Sequence, residues 1–241
     1  AVRGKAGGNQ LQVVDQLFGA LVLARAPVVG GAQALGRVER FEHALLEGFV
    51  AGDGEHEQVA KRGRVGDVGD GAAEFGTAFH AGAERIAHTL EVDSESPAAE
   101  WLRPYRVWFT GNVLALRWAE RVLVHPEGCY AGTADLLIQH AVHGLCLVDL
   151  KTMKVKPGAK PSPYKSWCYQ LAAYRAALGL PVNCLNLIVN SNEPSAPVEH
   201  LWSAEELNKG WDAFKAAHKL WTIEKGYDPV THNPAEMVLT A

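Results

Sequence analysis

Residues 1–70 of this 241-residue chain contain no Ser, Thr, Ile, Tyr, Trp, Met or Cys, while Gly, Ala and Val supply about half of them. So skewed a usage has two readings: a loosely packed helical appendage, or a misplaced gene start. Neither places a function there. Nowhere does an apolar run reach the roughly 18 residues that span a bilayer. The nearest, Leu11 to Ala24, is broken by Asp15 and Gln16, which also argues against a signal peptide, as does the lack of a leading Met. CxxC pairs are missing too. Cys129, Cys146, Cys168 and Cys184 are widely spaced and read as reduced, buried thiols of a cytoplasmic protein, not as a disulfide framework. Excess positive charge is absent: a net charge of −4 excludes polyanion binding by the whole surface but leaves room for a local basic groove.

What is present reads as one folded unit over 71–228, preceded by the Gly/Ala/Val-rich segment 1–70 and followed by a tail, 229–241. Within the first segment Leu35, Val38, Phe41, Leu45 and Phe49 recur at helical spacing, predicting a helix around 32–50. In the folded unit a helix is expected over Ala72 to Leu90, with Phe75, Phe79, Ala83 and Ile86 on one face. A second helical stretch is expected after Pro104, through Leu116. Three strands follow: Arg121 to Val124, Cys129 to Ile138, and Leu145 to Thr152 after a turn at His140–Gly144. A helix opening at Ser162 or Pro163 and ending at Gly179, a strand over Val182 to Val189, and a helix capped by Ser203 and Glu206 and stopped near Gly226 complete the order. The class is α/β with a mixed central sheet.

Charge sits where strands should be apolar: Gly132-Thr-Ala-Asp135-Leu-Leu-Ile and Leu147-Val-Asp149-Leu-Lys151. Strand interiors exclude charge unless it has a partner or a task. A hairpin centred on residue 142 makes Asp135 and Asp149 direct cross-strand neighbours, their β-carbons about 4.5–5.5 Å apart. Lys151, two residues beyond Asp149, emerges on the same face. Carboxylates that close repel unless one is protonated or a cation lies between them. Hard oxygen donors suit Mg²⁺ or Mn²⁺, an ion that polarises a phosphodiester and acidifies water. Lys151 would position and help deprotonate that water, or stabilise charge developing on phosphorus. The plainer alternative makes Asp135 and Asp149 structural ion-pair partners of Lys151 or Arg121.

Two further groups stand out. His125, Cys129, His140, His143 and Cys146 invite a zinc reading, but the hairpin spreads them out, so exposed turn histidines and buried thiols are the expectation. From Lys151 to Arg175 there are cations and no acid: Lys154, Lys156, Lys160 and Lys165 are interleaved with Tyr164 and Trp167. That stretch reads as a solvated loop or as a nucleic-acid clamp, cations meeting phosphates and rings meeting bases. The clamp is favoured because it begins at Lys151, and the absence of a base-reading pattern predicts sequence-independent binding.

Together, Gly-Thr-Ala-Asp135, the thirteen-residue gap and Asp149-Leu-Lys151 resemble the PD-(D/E)XK nuclease superfamily. Gln170-Leu-Ala-Ala-Tyr174 is similar to the Q-x-x-x-Y motif of its RecB-like branch, and Gly76-Thr-Ala-Phe-His80 to that branch's upstream histidine motif. Ala134 stands where the superfamily's name has proline. The resemblance covers about residues 72–228 and implies a restriction-endonuclease-like core, αβββαβ. It implies His80, Asp135 and Asp149 as metal ligands, with the backbone carbonyl of Leu150, and Lys151 as the catalytic lysine. Gln170 and Tyr174 would support the site or touch the nucleic-acid backbone, and Glu120 occupies a place where this branch often has glutamate. No cysteine follows Cys184, so no iron–sulfur cluster is expected.

The function this implies is a Mg²⁺- or Mn²⁺-dependent DNA exonuclease of bacterial or phage origin, acting in recombination, repair or phage DNA processing. Its partners would be DNA, held through phosphates, and a recombination protein such as a single-strand annealing protein. The alternatives are an endonuclease of restriction or junction-resolving type on the same core, and a nucleic-acid-binding module without catalysis.

Overall fold

The computed structural model describes residues 21–22, 70–226, 228 and 231. The helix expected over 32–50, and all of the tail except Thr231, lie outside the described residues. In chain order the elements are β1 (Leu21–Val22), α1 (Asp70–Thr89), α2 (Ala99–Asn112), β2 (Val113–His125), β3 (Tyr130–His140) and β4 (Gly144–Met153). Then come α3 (Lys165–Leu178), β5 (Asn183–Asn190), β6 (Val198–Trp202) and α4 (Ala204–Lys225). The fold is α/β. β2, β3 and β4 run antiparallel, β5 joins β4 in parallel across the α3 crossover, and β6 returns antiparallel to β5. The two-residue β1 pairs with β3 at Gly132 and Ala131.

The β3–β4 hairpin turns tightly between His140 and Gly144, whose φ of 69° favours glycine. His140 closes the turn, its Nδ1 accepting from the backbone N–H of Val142 and His143 at 3.1 and 3.2 Å. The crossover into β5 buries β4 and β5 on both faces, and both strands are accordingly near-continuous apolar runs. The Ser203–Glu206 capping box opens α4, with the backbone N–H of each residue bonded to the other's side chain.

Two hydrophobic clusters sandwich the sheet. One gathers Phe79, Ala83 and Ile86 of α1 with Leu102, Tyr105, Trp108 and Phe109 of α2 over Leu136, Ile138, Val148, Leu150 and Leu187. The other gathers Leu171 and Tyr174 of α3 with Leu207 and Phe214 of α4 over Leu123, Leu147, Cys184 and Trp202. Burying a side chain such as Phe79 completely contributes about 1.5–3 kcal/mol.

The largest departure from the sequence reading is at α2 and β2. The helix begins at Ala99, contains Pro104 and ends at Asn112, and 113–120 is strand, not helix. Pro104 removes one hydrogen bond near the helix start, where Leu102, Tyr105, Trp108 and Phe109 are all buried. β6 was not anticipated; its five residues, exposed at Val198 and Leu201 and buried only at Trp202, lack a two-residue period, and the strand forms by pairing with β5.

β2 and β3 are irregular in a way that positions the site. Same-parity residues of a regular strand share a face. Yet Tyr130 and Ala134 lie in the cluster under α3 and α4, while Leu136 and Ile138 lie in the cluster under α1 and α2. β2 makes the same switch between Ala119 and Leu123. The strands turn over at Glu120, which has a φ of 44°, and at Asp135 opposite it. Side chains from both helical layers can therefore reach one point.

Candidate functional site

Five strands contribute one polar residue each at a single level of the sheet. Ala119 pairs with Leu136 and Arg121 with Ala134, so Glu120 lies opposite Asp135. Leu136 pairs with Val148, so the next step brings Asp135 opposite Asp149. Asp149 pairs with Asn186, and Asn186 with His200. The register expected for the two aspartates is the one observed, but the β3–β4 ladder stops one residue short of them. In its place Asp135 Oδ2 accepts from the backbone N–H of Leu150 at 2.5 Å.

Around Asp135 a donor set converges. His80 Nδ1, from α1, lies 3.6 Å from Asp135 Oδ1 and 4.0 Å from Glu120 Oε1, the second an ion-pair distance too long for a hydrogen bond. One ligand atom from each of His80, Glu120 and Asp135 lies within 4.8 Å of the others. Burial, then the neighbouring Asp149 charge, push the Asp135 carboxyl well above the usual carboxylate range, to about 7, against the opposing pull of His80, Lys151 and the Leu150 N–H. Burial opposes charge on His80, but Glu120, Asp135 and Asp149 outweigh it, and its pKa is raised. A proton held on Asp135 or His80, or a cation among them, would relieve the repulsion of these carboxylates. Tyr105 adds an orphan: its hydroxyl is buried with no hydrogen-bond partner among the described residues, and burial, Asp135 and Glu120 all disfavour its ionisation. Two carboxylates and an imidazole around a buried charge deficit fit a divalent cation.

The other half of the site comes from β4 and α3. Lys151 Nζ lies 2.8 Å from both oxygens of Asp149 and donates to Gln170 Oε1 at 3.0 Å. Gln170 Nε2 donates to Tyr174 Oη at 3.0 Å, and Tyr174 is buried. Gln170 therefore orients the lysine, and Tyr174 backs Gln170 from inside the core, out of reach of a polymer in solvent. Glu120, read from the sequence as a supporting residue, stands among the donors. Asp149, read as a ligand, is engaged by Lys151 and by Asn186 Nδ2, 2.6 Å from its Oδ2.

Lys154, Lys156, Lys160, Lys165 and Tyr164 are exposed on the segment leaving β4, with Trp167 half-buried and edge-on to Tyr164 at 5.1 Å. The segment is tethered at Val155, whose N–H donates to Asn190 Oδ1 at 3.1 Å and whose carbonyl accepts from Asn192 Nδ2 at 2.8 Å.

A second cluster, His140, His143 and Glu199, also brings ligand atoms together, and it corrects the expectation of exposed turn histidines, since His140 is buried. Its chemistry disfavours a metal. Nδ1 of His140 receives two backbone N–H groups, so the ring proton is on Nε2, which points at Glu199 Oε1 3.3 Å away and has no lone pair for a metal. Trp108 Nε1 donates to the same Glu199 oxygen at 2.6 Å. The cluster ties the hairpin and α2 to β6. The four cysteines are buried and unpaired, as expected.

Sequence reasoning passed over Asn186 and Trp202, which stand behind Asp149, and Tyr105. Asn186 interrupts the run Cys184-Leu-Asn186-Leu-Ile-Val as Asp135 interrupts its own, but it carries no charge to draw notice. Among the described residues no helix is long and apolar enough to cross a membrane. Neither a scan against protein-family models nor a search of curated proteins finds a match for this chain.

Proposed function

We propose that this protein is a metal-dependent deoxyribonuclease, an exonuclease on a restriction-endonuclease-like core, as its resemblance to the RecB-like branch of the PD-(D/E)XK superfamily implies. The observation that supports this most is the meeting, at one level of the sheet, of a His80–Glu120–Asp135 donor set with an Asp149–Lys151–Gln170 chain. His80, Glu120 and Asp135 would hold Mg²⁺ or Mn²⁺. The Leu150 carbonyl is a further candidate, because an extended residue turns its N–H and C=O to the same side and the Leu150 N–H faces Asp135. A bound ion would polarise the scissile phosphate and acidify a water.

The chain's own residues do the rest. Asp149 and Gln170 hold Lys151 Nζ at a fixed point, where it donates to the attacking water or to a phosphoryl oxygen as charge develops. A new bond forms from water oxygen to phosphorus as the phosphorus–oxygen bond to the leaving strand breaks. Lys154, Lys156, Lys160 and Lys165 would contact DNA phosphates and Tyr164 with Trp167 a base, without reading sequence.

The test is a time course on end-labelled linear and circular DNA with Mn²⁺, Mg²⁺ or EDTA, comparing wild type with Asp135→Asn. Metal-dependent shortening of linear DNA, intact circles, and loss of at least roughly 100-fold of the rate in the variant are expected. Nicked circles would replace the exonuclease by an endonuclease. DNA binding without cleavage under either metal would leave only a binding module.

A further inference from the structure

Behind Asp149 runs a chain of hydrogen bonds that never reaches the surface. Trp202, on β6, donates its Nε1–H to Asn186 Oδ1 at 2.7 Å. Asn186, on β5, donates Nδ2 to Asp149 Oδ2 at 2.6 Å, and the same nitrogen lies 3.3 Å from the Asp149 carbonyl oxygen. Asn186 is fully buried, and Asp149 and Trp202 nearly so. The amide's orientation is chemically forced. An indole N–H can only donate, so it must meet the oxygen of Asn186, which turns the NH₂ toward the acceptor-only carboxylate. Asp149 is thereby gripped from the rear while Lys151 grips it from the front.

We propose that Asn186 and Trp202 are positioning residues for phosphodiester hydrolysis: Trp202 orients the Asn186 amide, which orients the Asp149 carboxylate, which orients Lys151. This rests on the nuclease reading above. A plain structural reading would have Asn186 only satisfy buried polar groups. The chain has more direction than that requires, since its terminal members are an indole that touches nothing reactive and a lysine at the centre of the site. Without the indole N–H the amide oxygen loses its buried partner, and only the bonds to Asp149 still fix where the amide sits.

The experiment compares wild type, Trp202→Phe, Asn186→Leu and the double variant, each checked for a cooperative melt and native near-UV dichroism. Trp202→Phe keeps an aromatic ring, removes the donor and leaves every residue of the donor set and the lysine chain in place. At saturating linear DNA and Mn²⁺ its kcat should fall roughly 3- to 10-fold, the worth of a neutral hydrogen bond, with KM for DNA unchanged. Asn186→Leu should fall at least as far. In the Asn186→Leu background, Trp202→Phe should cost no further kcat, because the indole acts through Asn186. Independently of activity, the Asn186 side-chain amide protons should exchange with solvent at least roughly ten times faster in Trp202→Phe than in wild type.

Undiminished kcat in folded Trp202→Phe, additive losses in the double variant, or unchanged exchange of the Asn186 amide would each overturn the proposal. If wild type itself cleaves no DNA under either metal, it is the nuclease reading that fails, and the positioning role falls with it.

Discussion

Asp135 Oδ2 and the backbone N–H of Leu150 are joined by a 2.5 Å hydrogen bond that replaces the next rung of the β3–β4 ladder. A carboxylate that takes over a backbone partner cannot move away from its like-charged neighbour Asp149. The bond therefore holds Asp135 in a place where its charge is disfavoured, and this has consequences that can be measured.

The first concerns stability against pH without metal. The folded pKa of Asp135 is raised from 3.8 to about 7, so the folded state holds its proton more tightly than the unfolded one. The penalty of ionising it is absent below the unfolded value, grows as pH rises between the two, and is complete above about 7. The raised pKa of His80 works in the same sense, its contribution being lost as pH rises through its folded value. In EDTA the melting temperature should therefore be lower at pH 8 than at pH 5.5. Asp135→Asn should melt higher than wild type at pH 8, by at least about 2 °C, and lose that advantage near pH 4. A variant less stable than wild type at pH 8 would contradict the burial of an unfavourable charge.

Metal should reverse that trend. Mn²⁺ or Mg²⁺ competes with the protons on Asp135 and His80, so it should raise the melting temperature more at pH 8 than at pH 5.5 and release protons on binding. Asp135→Asn should abolish the effect. Calorimetric titrations with each ion in two buffers of different ionisation enthalpy would check the proton release; because an imidazole stands among the donors, Mn²⁺ should support activity at least as well as Mg²⁺, which cleavage rates with each ion would check.

Lys151 invites a substitution that the geometry complicates. Removing it alone leaves Asp149 buried with Asn186 as its remaining side-chain partner among the described residues, and breaking a buried ion pair costs about 3–5 kcal/mol. Lys151→Ala should therefore lose stability as well as activity. Gln170→Leu is the cleaner probe: it frees Nζ on one side only and should lower kcat roughly ten-fold while the urea midpoint moves little.

Packing offers a check that does not involve the site. A β-carbon on Gly210 of α4 would come within 3.1 Å of both the carbonyl oxygen and Sγ of Cys168 on α3. Gly210→Ala should cost about 1–3 kcal/mol by overpacking, read as a lower urea midpoint with unchanged slope.

Much of this site was legible because it depends on a two-residue period and one turn. The turn between His140 and Gly144 fixes the β3–β4 register, and the register carries Asp135, Asp149 and Lys151 with it. Glu120 was harder to assign, since the sequence pattern starts the strand at Arg121 while β2 begins at Val113, and no local signal announces the early start. The burial of His140 depends on Glu199, which lies on a strand nearly sixty residues later. Asn186 and Trp202 depend on the same late strand. Local pattern thus located the charged residues, and long-range pairing determined what each of them touches.

Glu120 has one more effect, on the outer rim of the sheet. Among the described residues β2 pairs only with β3, so its thirteen residues present a long row of open amides and carbonyls to any passing strand. A left-handed residue near the middle, with exposed Arg117 and Arg121 on either side, breaks that row into short, twisted and charged pieces that a second chain cannot template against. The kink that brings a carboxylate to the donor set also makes the β2 edge a poor template for another strand.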